Sequence, residues 1–122
     1  MINRYSRKEV TNIWSEQNKY KIWLDIELAA AQGMEKYKII PKGVVSTIKR
    51  KGKINVKRIH QIEEKVKHDV IAFLTSIAEK SGLKARYLHQ GLTSSDVIDT
   101  GFNIQLVQSG NILINDINKI LS

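Results

Sequence analysis

Apolar residues recur at three- and four-residue steps along this whole chain, and no segment shows the sustained two-residue alternation of a half-buried strand. That pattern dictates an all-α fold. The stripe is clearest in Tyr20, Trp23, Leu24, Ile26, Leu28 and Ala31, where Glu27 to Ala31 is also rich in strong helix formers. Trp14 and Trp23 lie on such stripes and are expected to pack rather than to hold a ligand. Ser6 and Glu9 have the spacing of a capping box, with Val10, Ile13 and Trp14 on one face of the short helix behind it. The long helix should end at Ile39-Ile40-Pro41, because the residue before proline is pushed out of the helical region, and Pro41 fits the first turn of the next helix. Val44, Val45 and Ile48 predict a short helix ending near Gly52, and Asn55 is placed to cap another that carries Ile59, Ile62 and Val66. The pattern weakens at Lys67, resumes in Val70, Phe73, Leu74 and Ile77, and stops at Gly82. Periodicity alone leaves open whether one helix runs through His68 or two meet there.

With 122 residues, 42% of them hydrophobic, the chain has the size of one globular domain. The absence of cysteine excludes a disulfide scaffold and a thiolate nucleophile, and fits a reducing compartment. No apolar run approaches the roughly 20 residues of a membrane span, and the first residues lack the apolar core of a signal peptide. A cytoplasmic protein without a membrane partner is expected. The net charge of +8 raises the question of a polyanionic partner. Its densest run, Lys49-Arg50-Lys51-Gly52-Lys53, sits beside a glycine between two helical patterns and reads as a solvated loop. No aromatic residue interleaves with it to stack on bases, so no nucleic-acid partner is expected.

The chemistry concentrates in His89-Gln90-Gly91-Leu92-Thr93-Ser94-Ser95-Asp96-Val97-Ile98-Asp99-Thr100-Gly101. Thr93, Ser94 and Ser95 are helix-capping residues, Asp96 suits a first turn, and an apolar pattern of Val97, Phe102 and Ile104 begins at once. Hydroxyls beside unpaired backbone N–H groups suit a small dianion, although capping is the commonest use of such hydroxyls. The three histidines differ. His60, between Ile59 and Ile62 with no adjacent acid, reads as a surface or packing residue. His68, between Lys67 and Asp69, has neighbours able to fix its tautomer or keep it protonated. No two histidines share a metal-binding spacing, Ser94 and Ser95 lack a glycine elbow, and no Gly-Lys-Ser/Thr loop occurs, so neither zinc, a hydrolytic triad nor a phosphate loop is expected.

Three segments, Arg4-Tyr5-Ser6, Lys67-His68-Asp69-Val70 and Thr93 to Thr100, resemble in order and approximate spacing the adenylosuccinate lyases of the fumarase and aspartase superfamily. The last segment is the most specific of the three. The resemblance implies a cofactor-free elimination of fumarate from adenylosuccinate, giving AMP, and from the succinyl-carboxamide ribotide of purine synthesis. It implies that Thr93 and Ser94 bind the succinyl carboxylate, that Lys67, His68 and Asp69 line the nucleotide and succinyl region, and that Arg4 and Tyr5 hold the phosphate. His68 and His89 would orient the substrate or support proton transfer. Lys67 stands where an arginine is more usual, which weakens bidentate contact. The resemblance further implies an N-terminal helical domain over 1–93, the start of a central bundle helix over 94–122, and a homotetramer sharing active sites between subunits. The general acid and base would lie beyond this chain, which alone should be inactive. Two other readings compete: a sister enzyme such as argininosuccinate lyase, and a small basic nucleic-acid-binding module.

Overall fold

The computed structural model describes residues 2–122 and contains, among them, six α-helices, two short 3-10 helices and no strand. The α-helices are α1 (Lys8–Ile13), α2 (Glu16–Lys36), α3 (Val44–Lys51), α4 (Val56–Val66), α5 (Asp69–Ser81) and α6 (Ser94–Leu121). The 3-10 turns are Asn3–Tyr5 and Gly82–Tyr87, the second of which the periodicity did not predict. α2 and α6 run antiparallel. Contacts step in opposite directions along them, from Glu27 with His89, through Asn18 with Gln108, to Arg7 at the head of α1 with Asp116.

The core forms where α2, α3, α4 and α5 press their apolar stripes together over the first turns of α6. Tyr20 stacks on Phe73 with ring centroids 5.8 Å apart, and Trp23 meets both edge-on at 5.3 and 5.6 Å. Around them Val44, Ile48, Ile59, Ile77 and Val97 are fully buried. Burial of aromatic and aliphatic surface at about 25 cal/mol per Å² is the main drive for this packing. The second half of α6 escapes the core. Leu113, Ile117 and Ile120, at helical spacing on one face, are 61%, 54% and 83% exposed.

Helix ends follow local chemistry. Asn55 caps α4, its side-chain oxygen accepting from the Arg58 N–H at 3.0 Å, and Gly82 ends α5 at φ 72. Two helices meet at residue 68: Lys67 closes α4 in the left-handed conformation at φ 55, and His68 opens α5.

Four expectations are corrected. Ser6 does not cap α1; its hydroxyl donates to the Ile2 carbonyl, and Arg7 occupies the cap position with its guanidinium on Glu9 and Asp116. Pro41 precedes α3 instead of entering it, because left-handed Gly43 takes the cap position and the Glu35 carboxylate accepts from the Val45 N–H at 2.8 Å. Lys49, Arg50 and Lys51 form the last turn of α3 and not a loop; there their charges favour the negative end of the helix dipole. Trp14, unlike buried Trp23, stays 40% exposed, leaning on Phe102 and donating to the Ser109 hydroxyl at 3.0 Å.

Candidate active site

α6 opens at the expected residue. Thr93 is its N-cap in a capping box: the Thr93 side chain faces the Asp96 backbone N–H, and the Asp96 carboxylate reaches back to accept from the Thr93 N–H at 2.8 Å. Thr93 is exposed and Ser94 half-buried. Val97 anchors the first turn in the core, so the mouth of the helix is held rigidly.

The chain enters α6 through a turn built on two positive-φ residues, His89 at φ 63 and Gly91 at φ 71. Left-handed backbone is costly for a residue with a side chain. At His89 it is held by one partner: the Glu27 carboxylate accepts the His89 backbone N–H on Oε2 at 2.7 Å and meets Nδ1 on Oε1 at 2.6 Å. The Glu27 side chain is wholly buried, and the His89 ring is 22% exposed. A carboxylate in such a site must have its oxygens satisfied, and these two contacts do so.

At the α4–α5 junction the geometry differs. His68 Nδ1 accepts from the Ile71 N–H at 3.4 Å as the cap of α5, while Asp69 accepts from the Val70 N–H at 2.7 Å. The ring and the Asp69 carboxylate are 3.6 Å apart, too far for a hydrogen bond. Nδ1 thus offers its lone pair to the helix, and in the neutral ring the proton sits on Nε2. Lys67, His68 and Asp69 are substantially exposed, with Lys67 beside Glu63, Glu64 and His60 at a surface depression of about 510 Å³.

His60, expected to lack an acidic neighbour, lies 2.7 Å through Nε2 from Glu16 of α2. That pairing suits a surface histidine. Tyr20 lies near the same junction; burial, then the charges of Glu16, Glu63 and Asp69, push its hydroxyl up to about 12.

Tyr20, which feels the Asp69 charge, and Glu27, which holds His89, share one face of α2, about 10 Å apart along the axis at about 1.5 Å per residue. Arg4 and Tyr5 are elsewhere. They are exposed, with the Arg4 guanidinium 4.9 Å over the Tyr5 ring, just before Arg7, whose guanidinium binds Asp116. Asp116 is about 33 Å along α6 from Ser94 at the same rise. One chain therefore does not bring its Arg4-Tyr5 to its own Thr93-Ser94. Sequence reasoning missed Glu27. Its signal was a carboxylate at the seven-residue repeat of buried Tyr20, inside an apolar stripe.

Among the described residues, no group of three or more His, Cys, Asp and Glu side chains is placed to hold a metal ion, and no helix is long and apolar enough to cross a membrane.

The fold matches part of a solved structure: that of a fumarate lyase from Mesorhizobium superposes with a TM-score of 0.74 at 24% identity, covering 90% of this chain and 27% of that one. Sequence carries the comparison further. Adenylosuccinate lyases from Streptococcus mutans, Aquifex aeolicus and Thermotoga maritima are 42%, 43% and 42% identical to it over 100%, 99% and 98% of its length. Along its whole length the chain is similar to adenylosuccinate lyases, and it fits their N-terminal portion. It spans 28% of the length of these curated relatives. No family model matches the chain.

Proposed function

We propose that this chain supplies the succinyl-binding corner of an adenylosuccinate lyase active site in cytoplasmic purine nucleotide synthesis. The observation that carries this reading is the identity of 42–43% with adenylosuccinate lyases along essentially the whole chain. In the reaction a base takes the proton from the carbon beside a carboxylate, the C–N bond breaks, the electron pair of the C–H bond becomes the new C=C bond of fumarate, and an acid protonates the departing nitrogen of AMP. Negative charge grows on the carboxylate as the proton leaves, so donors fixed in advance at that carboxylate lower the barrier. The hydroxyls of Thr93 and Ser94, with the first N–H groups of α6, are such donors.

The ammonium of Lys67 and the Nε2–H of His68 add donors to the nucleotide and succinyl region, with Asp69 beside them, and His89 orients the substrate. Arg4 and Tyr5 pair a charged fork with a phenol, which suits phosphate. Because about 33 Å of α6 separates them from Ser94 in one chain, they act at the site of another subunit. The exposed Leu113, Ile117 and Ile120 of α6 support this assembly, since such a stripe packs against further helices of a homotetrameric bundle whose central domain begins at residue 94. The general acid and base come from outside these 122 residues, and the isolated chain is inactive.

Fumarate release by the product of the complete gene tests the reading. Adenylosuccinate should be cleaved and argininosuccinate not, and His68→Ala and Ser94→Ala should each lower kcat/KM at least about 100-fold. Turnover of argininosuccinate instead, or full activity in both variants, removes the assignment.

A further inference from the structure

Glu27 does something no surface carboxylate of a helix needs to do. Its side chain is completely buried, it comes from the middle of α2, and both its oxygens are spent on one residue 62 positions away. We propose that Glu27 is a positioning residue that fixes His89 in the Nδ1–H tautomer and presents Nε2 as a hydrogen-bond acceptor to the substrate.

The argument is one of donor and acceptor counting. A carboxylate can only accept. Oε2 takes the backbone N–H of His89, so Oε1, 2.6 Å from Nδ1, requires a proton on that nitrogen. In the neutral ring the lone pair is then left on Nε2, which has no hydrogen-bond partner among the described residues. The left-handed backbone of His89 belongs to the same device, since it lets main-chain N–H and ring reach one carboxylate together.

His68 is the mirror case. Its Nδ1 is the acceptor, at the Ile71 N–H, so it presents a donor at Nε2. The two histidines thus present opposite polarity at Nε2. On the lyase reading, on which this part rests, a neutral His89 does not bind the succinyl carboxylates, because two acceptors repel. It takes an N–H or O–H of the nucleotide, such as a ribose hydroxyl, and leaves the carboxylates to Thr93, Ser94 and His68.

The test is the tautomer of His89, read by long-range nitrogen–proton correlation on the nitrogen-15-labelled 122-residue chain at alkaline pH. The expected spectrum has a protonated Nδ1 and a bare Nε2. In Glu27→Gln the single amide oxygen is kept by the His89 backbone N–H, so the amide NH2 faces Nδ1 and the proton should move to Nε2. A wild-type His89 carrying its proton on Nε2, or a folded Glu27→Gln with an unchanged tautomer, overturns the proposal. Should the variant not fold, the wild-type spectrum alone decides. In the complete enzyme Glu27→Gln should raise KM about 10-fold with a smaller change in kcat, because the contact it disturbs is made to bound substrate before the reaction. Absence of fumarate release from the unmodified enzyme would remove the lyase reading and not the tautomer assignment, so the two failures are distinguishable.

Discussion

Gly101 of α6 lies directly against the indole of Trp23 in α2: a Cβ at residue 101 would come 3.0 Å from Cδ1 and 3.1 Å from Nε1. The indole cannot retreat, because Tyr20 and Phe73 hold it on its other sides and Trp23 is only 3% exposed. The glycine therefore sets how closely α6 approaches α2, and with it where the mouth of α6 stands relative to Glu27. Gly101→Val should cost about 1–3 kcal/mol in chemical denaturation, the usual penalty of overpacking a rigid core. Glycine to alanine in a helix would otherwise gain about 1 kcal/mol, so Gly101→Ala should fail to show that gain.

His89→Ala takes both ring contact and packing from a carboxylate that cannot reach water. Leaving one oxygen of Glu27 unpaired should cost about 1–3 kcal/mol. The double variant His89→Ala with Glu27→Gln should recover part of that loss, since the neutral amide still accepts the backbone N–H of residue 89 and leaves no unpaired buried charge. Equal losses in the single and double variants would mean that burial of the carboxylate carries no penalty here.

The parts of this fold that were legible in the sequence are those decided within a few residues. Asn55 caps its own helix, Gly82 ends its own, and the stripe from Tyr20 to Ala31 buries as its period requires. What escaped reading is decided by partners distant in the chain. Glu35 serves the N-terminus of α3 across a turn, displacing the role expected of Pro41. Gln105, polar on a helix, is buried because its amide donates to the Ile13 carbonyl at 2.8 Å. Glu27 has helix propensity enough to be taken for filler, and its pairing with His89 exists only once α2 and the entry to α6 are adjacent. The hydroxyls of the candidate site were visible because capping residues announce themselves, whereas the group that aims its histidine does not.

Lys67 carries a conformational cost that glycine would not. It ends α4 at φ 55, where a Cβ crowds the backbone by roughly 1 kcal/mol. Lys67→Gly should accordingly raise stability by about 0.5–1 kcal/mol in a urea titration. The same change deletes the ammonium proposed to face the substrate, so KM in the complete enzyme should rise. A variant that is both more stable and unimpaired would show that Lys67 has no part in binding.

Tyr20 links the core to the α4–α5 junction through its ionisation. Burial above all, then Glu16, Glu63 and Asp69, hold its hydroxyl up to about 12, above the ordinary value near 10. Between those two values the folded chain binds more protons than the unfolded one, and stability must fall with rising pH. The contribution is whole below pH 10 and is lost as pH climbs through about 12. Tyr20→Phe cannot ionise there and should decline less steeply across that window, with a tyrosinate absorbance step near pH 12 missing from its titration. Identical alkaline profiles for the two proteins would show that the Tyr20 hydroxyl is not held in its neutral form by the core.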